Sequence, residues 1–324
     1  CVPKRSLGTS WFTRVRFERT YMLSNVTVYC FLFSYAVVLV CELLRWLKRS
    51  TFNRVVILGL GFAGLVAQTA YLWHRSLQAD LPPLMASSHD WLLVLSWMAI
   101  VLYLFVSLID KSLAMGPFLL PLVIVLIVGA LLVDDQPQTL MFDDPALSEN
   151  VLRRWGMLHA SLLMFGAGGV MAGCILGLMY LVQHRRLRHK QLLHEGLSLP
   201  SLATLARWNW WSGVIAFPLL TLGMAIGVGL GWYVQRGGQP VSFADPLIIG
   251  YGVVWLVMLG LFFLLVRTRD PGGRQVAWWT IWAFTFLLVT VLGLQILTKG
   301  GIPSMHSWHT SRPHVAPRFS ARLS

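Results

Sequence analysis

The stretch from His159 to Arg186, HASLLMFGAGGVMAGCILGLMYLVQHRR, contains no Asp, Glu, Lys or Arg before Arg185. A helix needs about 20 apolar residues to cross roughly 30 Å of hydrocarbon, and this run exceeds that. It ends in a basic cluster, Arg185, Arg186 and Arg188. The same pattern recurs along the chain, giving candidate spans at 22–44, 53–73, 91–110, 114–133, 157–183, 209–233, 246–266 and 275–297. Strands of a membrane barrel would be about 10 residues long with alternating polarity, which these are not. The expected fold is therefore all-α, a polytopic membrane protein of about eight transmembrane helices. A basic tail (1–20) precedes the membrane domain (21–298), and a further tail (299–324) follows it.

Composition agrees. Of 324 residues 56% are hydrophobic and 12% charged, with a mean hydropathy of +0.66, whereas a soluble domain covers its surface with about 25% charged residues. The net charge of +13 is divided into clusters between apolar runs instead of forming one stripe. That is how orientation signals are arranged, and it excludes nucleic acid as the expected partner.

The loops give the orientation. Arg45, Lys48, Arg49 and Arg54 follow the first span, Lys111 the third, Arg185 to Lys190 the fifth, and Arg267, Arg269 and Arg274 the seventh. The alternate loops carry few bases and many acids, among them Asp80, Asp90, Asp134, Asp135, Asp143, Asp144 and Asp245. The positive-inside rule makes the first set cytoplasmic and puts both termini outside, in a multi-pass protein of the cell's inner membrane. The basic N-terminal tail opposes this phase, and the internal loops decide it. Arg14 to Arg19 precede an apolar run with no small-residue cleavage pattern, so a retained first span is expected.

Chemistry is sparse within the spans. Glu42 and Asp110 fall at span ends, where side chains are expected to reach the interface, so a proton- or ion-coupled transporter lacks its usual buried acids and bases. Cys30, Cys41 and Cys174 lie in apolar runs with no CxxC pair or metal-ligand spacing. No HExxH, G-x-S-x-G, P-loop or dinucleotide fingerprint occurs in a fitting context, so no catalytic residue is named.

Small residues recur every four positions at Gly169, Gly173 and Gly177 and again at Gly223, Gly227 and Gly231. Such tracks admit a neighbouring helix or a flat rigid ligand. Most tryptophans stand near span ends as interfacial anchors, and Trp232 closes the second glycine track at the outer face. Residues 184–207, HRRLRHKQLLHEGLSLPSLATLAR, read as a cytoplasmic amphipathic segment lying on the lipid surface, broken at Pro200. His159, at the start of the fifth span, and His306, after the eighth, both fall on the outer side. Neutral imidazoles are natural axial ligands of haem iron, but His89, His309 and His314 are external too, and the residues alone leave the pair open.

Three segments, HASLLMFGAGGVMAGCILGLMYLVQHRRLRHK (159–190), LPSLATLARWNWWSGVIAFPLLTLGMAIGVGLGW (199–232) and MHSWH (305–309), give the chain a likeness to a known family. It resembles the cytochrome c assembly family of membrane proteins, the CcsA and ResC branch with the smaller HemX-like proteins, over residues 55 to 309, and is most similar to the HemX-like members. The resemblance implies haem (haem b) as cofactor, with His159 and His306 as the two external ligands. It further implies a haem surface of Trp232, Phe243 and Asp245, beside which Gly169, Gly173 and Gly227 of the glycine tracks are the candidate ligand-facing positions, and an assembly partner and apocytochrome c alongside membrane lipids. The implied function is holding haem at the outer face for a partner-assisted attachment step. The alternative is a HemX-like regulatory or scaffold protein acting on haem biosynthesis, with small-molecule transport a distant third.

The chain departs from the family pattern in three places. VSFADP has Phe243 where tryptophan is expected, Gln68 stands near an expected membrane histidine, and FFLLVRTR has no histidine before Arg267. These departures speak against an inner haem site and unaided export, leaving the outer site.

Overall fold

A computed structural model of the protein describes residues 27–48, 54–79, 87–109, 115–133, 149–188, 199–236, 246–267 and 272–299. They form α1 (Val28–Lys48), α2 (Arg54–Ala79), α3 (Ser88–Ile109), α4 (Gly116–Leu132), α5 (Glu149–Arg188), α6 (Leu202–Arg236), α7 (Pro246–Arg267) and α8 (Gly273–Lys299). The all-helical expectation holds, with each candidate span inside or closely overlapping one helix. Six helices are long and apolar enough to cross a membrane; the apolar parts of the other two, Val28–Leu44 and Gly116–Leu132, are shorter. At 17 residues α4 is about 25 Å long, near the lower limit for a span.

The helices pack as two groups of four, α1–α4 and α5–α8, joined where α3 and α4 meet α5. The most extensive pairing is α5 with α6, and glycines of α5 allow close approach to both α6 and α8. A Cβ at Gly169 would lie 2.7 Å from the Ala216 Cβ, and one at Gly177 would lie 2.8 Å from the Ala277 carbonyl oxygen of α8. Backbones approach this closely only without side chains, which is how helices gain packing energy in lipid. Outward, large apolar residues such as Phe33, Val55 and Trp282 are 72%, 73% and 62% exposed, a surface suited to hydrocarbon.

The fifth and sixth helices outrun the spans expected of them. No breaker separates Tyr180 from Arg188, so residues 184–188 continue α5 as one helix instead of starting a separate surface segment. Residues 189–198 lie outside the described set. Ser201, just after Pro200, caps α6: its Oγ accepts the Thr204 backbone N–H at 3.3 Å.

Several polar side chains are buried within the bundle and at its ends. Glu42, near the end of α1, is 6% exposed; it packs against Gly116, the first residue of α4, and accepts a 2.9 Å hydrogen bond from the Tyr103 hydroxyl. Gln68 is fully buried, its Nε2 donating to the Leu93 carbonyl at 2.9 Å and to Ser96 Oγ at 2.7 Å, while Oε1 accepts from the Tyr35 hydroxyl at 2.8 Å. One amide thus ties α1, α2 and α3 together. Asp90, expected in an acidic external loop, lies buried in the first turn of α3 and pairs with Arg75 of α2 at 2.6 Å. Burial of a carboxylate requires such a partner. Asp110 lies outside the described residues.

Candidate functional site

In an alternating bundle, the end of α2, the start of α3, the end of α4, the start of α5 and the end of α6 share one side. His89 confirms part of this directly, because its Nδ1 lies 2.8 Å from the Ala130 carbonyl oxygen near the end of α4. Its Nε2 lies 3.4 Å from the Tyr71 hydroxyl, and the residue is 4% exposed. With both nitrogens engaged and the ring buried, His89 is a structural histidine joining α2, α3 and α4. It leaves the set of external histidines that the sequence could not separate.

His159 is placed differently. It stands on α5 about three turns from the helix start, half-buried, and its Nδ1 is 2.7 Å from the Gly223 carbonyl oxygen of α6. A carbonyl only accepts, so Nδ1 carries the proton and donates it. Nε2 then holds the lone pair and has no partner among the described residues. The ring rests on Gly227, one turn beyond Gly223: a Cβ there would lie 2.5 Å from Cε1 and 2.8 Å from Nδ1. The second glycine track is thus partly a seat for this imidazole. A histidine whose distal nitrogen is held by a backbone carbonyl has the arrangement usual for metal-ligating imidazoles, which fixes both tautomer and ring orientation.

The other named residues separate into three groups. Gly169 and Gly173 lie within the helix interface, Gly173 facing Ser212 Oγ at 2.6 Å and Thr280 Cγ2 at 3.3 Å from a Cβ position, so they position α5 and α6. Trp232 is 60% exposed and sits roughly 140° around α6 from Gly227 at 3.6 residues per turn. The Arg236 guanidinium lies over its indole, 5.2 Å from the centroid, a cation–π contact. His306, Phe243 and Asp245 lie outside the described residues, as do His309 and His314.

Sequence reasoning missed the Arg75–Asp90 pair and the neighbouring Tyr71 and His89 on the His159 side. One signal was available: a lone arginine in the last turns of one apolar run and a lone aspartate in the first turn of the next. Its meaning depends on α2 and α3 packing together, which periodicity does not report.

Chemically, the described residues offer one oriented neutral imidazole seated on glycine, with the Trp232 indole and the Arg236 guanidinium well around α6 from that seat. A neutral imidazole held in this way is a donor of the kind that haem iron accepts.

Comparison with known proteins agrees with this reading of the fold. The family described as Cytochrome C assembly protein matches residues 85–302. The chain is 26% identical over 255 residues to "Cytochrome c biogenesis protein CcsA" of Trieres chinensis, covering 69% of this chain and 77% of the relative. It is 25% identical over 307 residues to the CcsA of Chlorella vulgaris, covering 81% and 90%. "Protein HemX" of Brevibacillus brevis is 26% identical over 153 residues, 47% of this chain and 52% of that one. With its helical membrane architecture and a family match across most of its length, this chain belongs to the cytochrome c assembly protein family.

Proposed function

We propose that the protein holds haem b at the outer face of the inner membrane and presents it for attachment to apocytochrome c by an assembly partner. His159 and His306 would supply the axial nitrogens. The outer end of α6, with Trp232 and the 237–246 segment containing Phe243 and Asp245, would lie along the macrocycle. The observation carrying this reading is the His159 geometry: Nδ1 committed to Gly223 at 2.7 Å, ring seated on Gly227, and Nε2 left as the acceptor. Haem, when bound, supplies iron for coordination and vinyl groups for thioether formation. The chain's part is to bind, orient and protect, and the relatives named for cytochrome c biogenesis support that division.

Absorption spectra of the detergent-purified protein test it. A Soret band in the wild type, altered in both His159→Ala and His306→Ala and unchanged in His74→Ala, is the expected result. A wild type purified from haem-replete cells without any Soret band would defeat the proposal. So would identical spectra for all four proteins.

The second reading, a HemX-like scaffold that adjusts a haem-biosynthetic enzyme without handling haem, is favoured by the HemX relative and by Phe243 in place of tryptophan. It predicts no Soret band together with retention of a cytoplasmic protein through the 184–207 region.

A further inference from the structure

At the interface opposite His159, one face of α5 ends in Leu181, His184, Arg185 and Arg188, spaced i, i+3, i+4 and i+7. That face turns toward the start of α8, and with Arg274 and Trp278 it lines a recess of about 200 Å³. The walls are held by packing. A Cβ at Gly273 would lie 2.8 Å from two ring carbons of Tyr180 and 2.8 Å from its hydroxyl oxygen, so the first residue of α8 rests directly on that side chain. Tyr180 lies parallel to His184, at 8° and 6.1 Å between centroids, which fixes the imidazole on the recess wall.

Arg185, Arg188 and Arg274, all exposed, gather three positive side chains at the lining of one recess, a concentration of charge that an anion would offset. Among the described side chains the carboxylates are Glu42 and Asp90, and these are engaged by Tyr103 and Arg75. Arginine forks match phosphate oxygens in pairs. Depth narrows the source: His159 and His184 are about 37 Å apart along α5 at 1.5 Å per residue, slightly more than the roughly 30 Å hydrocarbon core. With His159 at one interface, the recess falls at headgroup depth on the other, and the indole of Trp278 belongs at that level.

We propose that this recess is a phosphate-binding site, filled in the membrane by the headgroup of an anionic phospholipid. The phosphate neutralises Arg185, Arg188 and Arg274 together and clamps the end of α5 to the start of α8. It thereby holds α5 at fixed depth, independently of whether haem occupies the far interface.

The test is native mass spectrometry of the full chain in uncharged detergent, titrated with phosphatidylglycerol, phosphatidylcholine or inorganic phosphate. The wild type is expected to retain phosphatidylglycerol in preference to phosphatidylcholine. Affinity falls roughly fivefold for each arginine changed to glutamine, and on the order of 100-fold in the Arg185→Gln, Arg188→Gln, Arg274→Gln triple variant. An Arg153→Gln, Arg154→Gln variant, altered at the other end of α5, binds as wild type. Weak competition by millimolar inorganic phosphate supports a lipid source, and strong competition supports the same site filled by a soluble phosphate. If the triple variant does not fold, single Arg188→Gln and Arg274→Gln variants carry the measurement. Wild-type affinity in folded variants, or equal binding of the two lipids without phosphate competition, overturns the proposal.

Discussion

The His159 imidazole is oriented by a residue with no side chain. Gly227 leaves room for the ring, and the Gly223 carbonyl one turn earlier takes its Nδ1 proton, so two positions on α6 determine which nitrogen on α5 is free. Gly227→Ala would place a Cβ 2.5 Å from Cε1, and the ring must leave its seat. Haem retention is expected to fall roughly 10–100-fold, the usual cost of disturbing a ligand's supporting contact, measured by haem titration in detergent. Gly229→Ala, where nothing lies within 4 Å, is expected to bind as wild type. Equal retention in both variants would remove His159 from the haem site. Gln68 makes the opposite point at the same scale. It stands near a position where the resemblance leads one to expect histidine, and its amide is saturated by Tyr35, Ser96 and Leu93. The residue serves helix packing there, with no free atom for iron.

Helix existence was legible at the scale of elements because charge-free runs of span length have few alternatives in lipid. The contacts between helices were not. The glycine spacing at 169, 173 and 177 announced a close approach, but whether to a ligand or to another helix depended on what α6 and α8 bring to meet it. The structure supplies Ala216, Ser212 and Ala277 there. Likewise Asp90 and Arg75 read as separate loop charges until α2 and α3 are packed. The small-residue interface predicts a measurable asymmetry. Gly169→Val and Gly177→Val force bulk between backbones and are expected to cost about 1–3 kcal/mol each, lowering the midpoint of thermal unfolding in detergent. Gly260→Val on α7, with nothing within 4 Å, is expected to melt with the wild type. Equal melting of all three would mean that α5 is not held by its glycine face.

At the scale of the whole molecule, the proposed function depends on which side of the bilayer each end of α5 occupies. Arg153 and Arg154 precede His159, while Arg185, Arg186 and Arg188 end the same helix, so the basic excess lies at the His184 end, and the positive-inside rule predicts that this end is cytoplasmic. Alternation through α6, α7 and α8 then returns the chain to the His159 side before His306. This is testable in a background with the four native cysteines replaced. Arg153→Cys and Ser307→Cys are expected to react with a membrane-impermeant maleimide on intact cells, and Arg188→Cys only after permeabilisation. Position 153 lies on the His159 end of α5 and position 307 follows His306, while position 188 lines the recess. Labelling of 153 and 307 from opposite sides would place the two imidazoles across the bilayer from each other, where no single iron could reach both. The recess beside Arg188 would keep its anion chemistry in either orientation, because its depth, unlike its side, is set by the length of α5.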